Sequence, residues 1–389
     1  MKDIKKEIIE RNSSKEDYGQ VLGIEVRFRR IKLSQTLAMT ASKICSISYL
    51  SKIENNTIEA SPLYLREICQ QVDLDNDQID LLMNLREIIE KCIAAYLNNV
   101  ESVLLESYTS GKGFENFRYK IIEFIYYLYN EDIYNANLVY KNLMRVSSTM
   151  SDFDLYVFSL FSAILCYYNQ FYTDCFETLK LLTNLKISVE FDILRDKYAF
   201  LSLYSINSCD TSYAYKSLKE KLLNNGKYGM LEEINYLYSL FLINNKSIYE
   251  YSEILKQVTN PKYKESLRLY SDFMDENMNL SSYDENNLTT FTKYLLHIRT
   301  NKDLAKEEIE NINQNFDYDM NEMLLKYLLI ENDNDKLKFM TDIALPNALR
   351  NNEKFNCNYF LHELASIAAH NFKYKLFSTY YLKIMNQNN

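Results

Sequence analysis

The sequence predicts an all-α protein, on three observations. Glycine and proline are scarce, with 6 Gly and 3 Pro in 389 residues and neither between Phe114 and Asn225. Sheet architectures need such residues at their frequent turns, so the scarcity argues against that class. Apolar residues recur at spacings of three and four, the helical period. The chain also repeats. Asn130, Asn169, Asn207 and Asn244 stand 39, 38 and 37 residues apart. Eight, four and one residues before each lie apolar side chains: Ile122/Tyr126/Tyr129, Phe161/Leu165/Tyr168, Ala199/Leu203/Ile206 and Tyr236/Leu240/Ile243. A second amphipathic stretch follows each unit, as at 135–146 and 173–182. Helix pairs of this period cannot bury their own apolar faces and stack into a solenoid.

In chain order, residues 1–18 are a charged extension, with one helical stretch at Ile4–Glu10 that reads as an arm or as a cap on the domain behind it. Residues 19–74 read as a small helical domain. Arg27–Leu33 ends a basic first helix, and Thr36 is placed to cap a second one containing Ala38 and Ala41. Ser46 is placed to cap a third, Ile47–Asn55, with Leu50 and Ile53 on one buried face. Its other face carries Ile47, Ser48, Ser51, Lys52 and Asn55. Pro62 opens a fourth helix carrying Leu65, Ile68, Cys69 and Val72. Residues 75–110 form a linker helix whose Leu82, Leu85, Ile89, Cys92, Tyr96 and Val103 approach a heptad seam, predicting dimerisation through it. Gly111-Lys112-Gly113 marks the clearest boundary. Residues 114–389 hold the repeats, with Asn332 and Asn371 again 39 apart and 262–314 fitting the period worst. The period slightly exceeds the ~34 residues of a tetratricopeptide repeat. The expectation is a right-handed TPR-like α-solenoid with a concave inner surface.

Charge separates the two ends. Residues 1–72 hold 12 Lys+Arg against 9 Asp+Glu, a net of +3, whereas the chain is −9, leaving −12 for the remainder. A basic patch on an acidic protein is an electrostatic footprint for phosphate. A short helix with a small polar and basic outer face enters a major groove, where its first residues meet base edges.

The segment Val26–Asn56 resembles the Xre/Cro-type helix-turn-helix. The resemblance rests on Arg30, Thr36, Ala41 and the run Ile44-Cys45-Ser46-x-Ser48-Tyr49-Leu50-Ser51-Lys52-Ile53-Glu54-Asn55. It implies an ion pair between Arg30 and Glu54, and base reading by Ile47, Ser48 and Lys52. Arg29, Thr36, Ser46, Ser51 and Asn55 complete the expected DNA-binding set. Two positions depart from the family. Leu37 stands where a polar phosphate contact is expected, and Thr40 where a leucine is. The loop 57–61, often basic in relatives, carries the acidic Glu59.

A helix-turn-helix joined through a linker helix to TPR-like repeats is similar to the RNPP and Rgg group of peptide-pheromone receptors, with the phage lysogeny-deciding receptors sharing the architecture. The resemblance implies a transcriptional regulator working as a homodimer, with double-stranded DNA and a short signalling peptide as partners. The inner helices around 191–206 and 227–243 are the expected peptide groove. Lys197 is the candidate for a terminal carboxylate, Asn235 for a peptide amide from an exposed position, and Tyr204 and Tyr238 for the walls. The different reading is a repeat domain that docks a protein partner instead.

No enzyme signature is present: there is no P-loop, no GxGxxG after a strand, no GxSxG and no HExxH. His297, His362 and His370 read as surface or capping residues, and the pairs Asp275-Glu276 and Glu307-Glu308 as solvated helix faces. No cofactor, metal or catalytic residue is expected. The 7 Cys show no CxxC pair and read as reduced core thiols, no apolar run reaches the ~20 residues of a membrane span, and a cytoplasmic location follows.

Overall fold

The computed structural model describes residues 4–6, 8–9, 21–55, 58, 61–74, 76–100, 117–183, 187–274, 283–310, 321–351, 353–370 and 374–387. Among them every regular element is helical. The chain divides into two units. One comprises Met1–Asn169 with Asp174–Arg195, the other Gln170–Thr173 with Asp196–Asn389.

The first unit begins with four short helices, Val21–Lys32, Leu37–Ala41, Ile47–Glu54 and Pro62–Gln71, followed by the long helix Asn76–Asn98. The long helix carries the seam expected to pair across a dimer, and the structure corrects that expectation. Leu85, Ile89 and Cys92 are at most 2% exposed within a single chain. The helix packs against Val21–Lys32, Pro62–Gln71 and Phe117–Tyr129. Tyr96 meets Tyr129 and Phe161 edge-on, at 6.2 and 5.2 Å between ring centroids. Spacings of three and four describe a helix buried in its own core as well as they describe a coiled coil. The side chain of Leu82, residue Val103 and the Gly111-Lys112-Gly113 boundary lie outside the described residues.

Behind it, Phe117–Tyr129 packs on Ile133–Met144, Asp152–Tyr168 packs on both, and Tyr172–Leu181 follows. Asp152–Tyr168 is buried from Asp154 to Tyr168. Its polar groups are therefore satisfied internally. The Asp154 carboxylate lies 2.7 Å from Arg118 Nε and accepts from Arg118 and from Ser151 Oγ, while Ser159 and Ser162 donate to carbonyls four residues back. The extension at Ile4–Ile9 is held in this unit too. Ile4 and Ile8 are fully buried, and Lys5 donates to Asp174 and Glu177 on one face of Tyr172–Leu181. A helix of the repeats therefore holds its described residues.

The second unit contains the rest of Val189–Ser205, then Thr211–Asn224, Tyr228–Asn244, Ile248–Leu255 and Pro261–Met274. Thr290–Thr300, Lys302–Glu310 and Glu322–Leu329 follow. A helix from Asp333 to Asn351 bulges into a π turn at Met340–Ala344, and Lys354–His370 and Tyr374–Gln387 end the chain. The last part packs around Tyr327, Met340, Leu345, Phe360 and Leu364.

The asparagine period turns out to be a helix-end signal. Asn130 and Asn169 are C-caps whose side-chain amides donate to the carbonyls of Tyr126 and Leu165, and Asn245 does the same to Phe241. The next residue swings to positive φ each time, at Glu131, Gln170 and Lys246, as does Asn207. Helix ends thus fall at 130, 169, 206 and 245, so Asn207 lies one residue past its end and Asn244 one before. Asn332 is a correction of another kind, since it caps the start of Asp333–Phe339. Asn371 and the pair Asp275-Glu276 lie outside the described residues.

All seven cysteines are free thiols, and only Cys209 is exposed. Burial pushes Cys69, Cys92, Cys166 and Cys357 up to about 12. The thiolate is the reactive form, so a disulfide-exchange reagent at neutral pH should titrate Cys209 first and these four only after unfolding. Mass spectrometry of the labelled peptides reads the order. Ile89→Ala should destabilise the first unit by about 2–5 kcal/mol, since it opens a cavity in a packed core. Loss of a dimer with an unchanged melting temperature would return the seam to an intermolecular role.

Candidate functional site: a helix-turn-helix surface and the repeat side chains

The helix-turn-helix is built from caps and one ion pair. Thr36 Oγ1 accepts from Met39 N at 3.2 Å, and Ser46 Oγ from Tyr49 N at 3.1 Å. Between the two helices, Lys43 takes a φ of 66° that lets the chain turn sharply. Leu50 and Ile53 are buried, as their spacing requires. Arg30 grips Glu54 through Nε at 2.6 Å and Nη2 at 2.8 Å, with side-chain exposures of 13% and 4%. Its Nη1 also donates to the Gln35 carbonyl at 3.0 Å. Three donors of one guanidinium thus tie the end of the first helix, the turn and the end of the third.

Thr40, which stands where a leucine was expected, is fully buried and donates to Gln35 Oε1 at 2.9 Å. The Gln35 amide in turn donates to the Gln71 carbonyl at 3.2 Å. A buried hydroxyl without a partner costs about 1–3 kcal/mol, so Gln35 makes the departure tolerable. The sequence showed both residues, but their pairing needed the fold.

Of the expected DNA-facing set, Thr36, Ser46, Ile47, Ser48, Lys52 and Asn55 are exposed and Ser51 half-buried. Ile47 is 52% exposed, an apolar side chain that the small core does not use. Asn55 accepts from Arg27 Nη1 at 3.1 Å, which brings Arg27 to this edge. Arg29 is a correction. It pairs with the buried Glu25 at 3.1 Å and donates to the Asp73 carbonyl, an internal tie instead of an outward-facing cation. Glu59 lies outside the described residues.

The four residues expected to meet a peptide separate into two kinds. Lys197 and Tyr204 are half-buried; Lys197 lies 3.5 Å from Glu233, and Tyr204 stacks on Phe200 at 6.2 Å. Asn235 and Tyr238 are 3% and 2% exposed, which corrects the expectation of an exposed groove amide. Asn235 Oδ1 accepts from Tyr215 Oη at 2.8 Å, and Tyr238 stacks on Tyr215 at 3.9 Å and donates to Ser212. The signal was in the sequence. Ile234–Leu242 is apolar or aromatic but for Asn235 and Ser239, the mark of a helix buried all round.

His297 also departs from its expectation. It is buried, with Nδ1 2.6 Å from Glu308 and Nε2 2.9 Å from Glu285. Lys293 meets the same Glu285 at 3.1 Å.

Fold and surface together define a helix-turn-helix protein followed by tandem helix pairs. No family model matches the chain. Over 395 aligned residues it is 24% identical to the transcriptional activator NprA of Geobacillus stearothermophilus, covering 88% of this chain and 97% of that protein. Among solved structures it is similar to Bacillus thuringiensis PlcR in complex with the peptide PapR7 and DNA. That match has a TM-score of 0.38 and 16% identity, over 67% of this chain and 100% of the other. The chain thus resembles a transcriptional activator over nearly its whole length.

Two substitutions separate the roles of the third helix. Arg30→Ala should destabilise the small domain by about 3–5 kcal/mol, because it leaves Glu54 buried without its cation. Lys52→Ala removes an exposed side chain and should leave the melting temperature within about 0.5 kcal/mol of the parent. Circular dichroism of both variants checks the contrast. Asn235→Ala should cost about 1–3 kcal/mol by stranding the Tyr215 hydroxyl, whatever it does to a ligand.

Proposed function

We propose that the chain is a sequence-specific DNA-binding transcriptional regulator whose helical repeats sense a short signalling peptide. The observation that carries the DNA half is the third helix, locked by Arg30 and Glu54, with Ile47, Ser48 and Lys52 exposed along its outer face. The full-length likeness to a transcriptional activator supports the same reading. In this reading Ser48 and Lys52 meet base edges, while Thr36, Ser46 and Asn55 contact phosphates. The chain acts as a cytoplasmic homodimer, since motifs of this type read two half-sites related by a two-fold axis. The described seam residues of Asn76–Asn98 are filled from within the chain, so the contact between copies uses another surface. No helix among the described residues is long and apolar enough to cross a membrane.

The peptide half rests on architecture and on side-chain character. Lys197 and Tyr204 keep solvent access on the first helix of a repeat, where an extended peptide would lie. One observation favours docking of a protein partner instead. Second helices of the repeats begin with exposed aromatics, Tyr213 at 79% and Tyr249 at 81%. Rings this exposed, near the starts of two second helices, suit an apolar partner surface.

Selection of duplexes from random DNA by the full chain, followed by titration against salt, tests the DNA half. Lys52→Ala should weaken the selected duplex by about 1–3 kcal/mol if it reads a guanine. A phosphate contact would instead lower the salt slope by about 1 on every sequence. Binding of all duplexes like the parent would remove the assignment. For the repeats, Tyr213→Ser with Tyr249→Ser should leave peptide affinity intact, and loss of regulation in that variant alone would favour the protein partner.

A further inference from the structure

A carboxylate in the second unit sits among amides, with no cationic partner among the described side chains. Glu353 accepts from Asn356 Nδ2 at 2.7 Å and from Asn351 Nδ2 at 3.3 Å. Asn351 also donates to Gln170 Oε1 at 3.2 Å, across 181 residues of chain, and Asn321 donates to Asn356 Oδ1 at 2.9 Å. Asn356 is 9% exposed, Asn351 and Glu353 are half-buried, and Gln170 is exposed. The cluster thus runs from the buried Asn356 to the exposed Gln170. Tyr172 lies close enough to feel the Glu353 charge, as does the buried Cys357. Among the described side chains no Lys, Arg or His pairs with Glu353.

Glu353 stands just ahead of the helix Lys354–His370, where its carbonyl accepts from Cys357 N and a negative charge is favoured. Burial raises the Glu353 carboxyl above its ordinary value, and the two amide donors only partly oppose that. The two amides donate to different oxygens of Glu353, so a glutamine here would keep one of these bonds and lose the other along with the charge. Elsewhere in the chain buried carboxylates have guanidinium partners, Glu54 with Arg30 and Asp154 with Arg118. A carboxylate has room for roughly four hydrogen bonds, and the two amides fill only half of that. The remaining capacity suits a ligand group with several N–H donors and a positive charge.

We propose that Glu353, with Asn351, Asn356, Gln170 and Tyr172 around it, is the subsite for the positively charged group of the peptide ligand, an ammonium or a guanidinium. The inference rests on the peptide-sensing reading above. The carboxylate supplies the charge, the amides hold its orientation, and the Tyr172 phenol lies near enough to feel that charge.

The test uses the full chain and a randomised heptapeptide library, once with free N-termini and once N-acetylated. Retained peptides are separated by gel filtration and sequenced by mass spectrometry. The parent should retain peptides with a fixed Lys or Arg if a side chain enters the subsite, or peptides from the free-amine library alone if the α-ammonium does. Glu353→Gln should weaken those peptides about tenfold or more by fluorescence anisotropy. Its melting temperature should stay close to the parent's at neutral pH, since losing one amide bond offsets losing the desolvated charge. Because the folded-state carboxyl is raised, the parent should gain on the variant as the pH falls and Glu353 takes up its proton. Retained peptides with no requirement for a cation, or bound equally by Glu353→Gln, overturn the subsite and leave peptide sensing intact. A marked fall in the variant's melting temperature assigns Glu353 to packing and also overturns it. If the parent retains no peptide from either library, the peptide reading itself falls, and the subsite with it.

Discussion

The repeats obey one constraint: an amphipathic helix pair has an apolar face that it cannot bury alone. Covering that face with the next pair leaves the first helix of a pair enclosed on all sides. Asp152–Tyr168 in one unit and Tyr228–Asn244 in the other show the result, with long stretches of each withdrawn from solvent. Any polar group on such a helix must then find a partner inside the protein, because water is no longer available. The serines turn back on their own helix, as Ser159, Ser162 and Ser239 do. Asp154 recruits Arg118, and Asn235 recruits Tyr215. Packing therefore dictates the polar chemistry of the interior.

The helix-turn-helix meets a different constraint. Its helices are 5 to 12 residues long, too short to be stable by propensity alone. A small core has little area to bury, so fixed polar ties carry more of the specification. Arg30 ties its own helix to the Glu54 carboxylate and to the Gln35 carbonyl, and Gln35 links Thr40 to the carbonyl of Gln71. Both sets of bonds hold the third helix in place, with Ser48 and Lys52 exposed on it. The exposed Ile47 fits the same division, since nothing in the core requires an apolar residue there. It also has the character of a side chain that meets a thymine methyl.

How much of this was legible in the sequence depended on range. Helical class, caps and the boundaries near Thr36, Ser46 and Pro62 depend on neighbours within a few residues, and the residues display them directly. The asparagine period was visible, but its meaning was a cap on the helix end, and the true register drifts by one residue around Asn207 and Asn244. The linker seam was ambiguous in principle, because Leu85, Ile89 and Cys92 have the same spacing whether they face a second chain or their own. Asn235 was misread because its chemistry drew attention away from the apolar run around it. Glu353 could not be found at all, since its environment brings Gln170 and Asn351 together over a long reach of chain.

The contrast between Glu54 and Glu353 separates structural from functional use of a charge. Glu54 is the more buried of the two, yet its partner is a guanidinium that donates twice, so the pair is electrically closed. Removing either member leaves the other stranded, and the expected outcome is unfolding of the small domain. Glu353 retains solvent access and, among the described side chains, its partners are neutral amides, which hold the charge in place without neutralising it. Closing it with a cation would stabilise the folded chain by as much as that cation binds. A ligand carrying such a cation would therefore tighten the contacts among Gln170, Asn321, Asn351, Glu353 and Asn356 when it bound. The same carboxylate is the group through which a ligand could shift the protein's conformational balance.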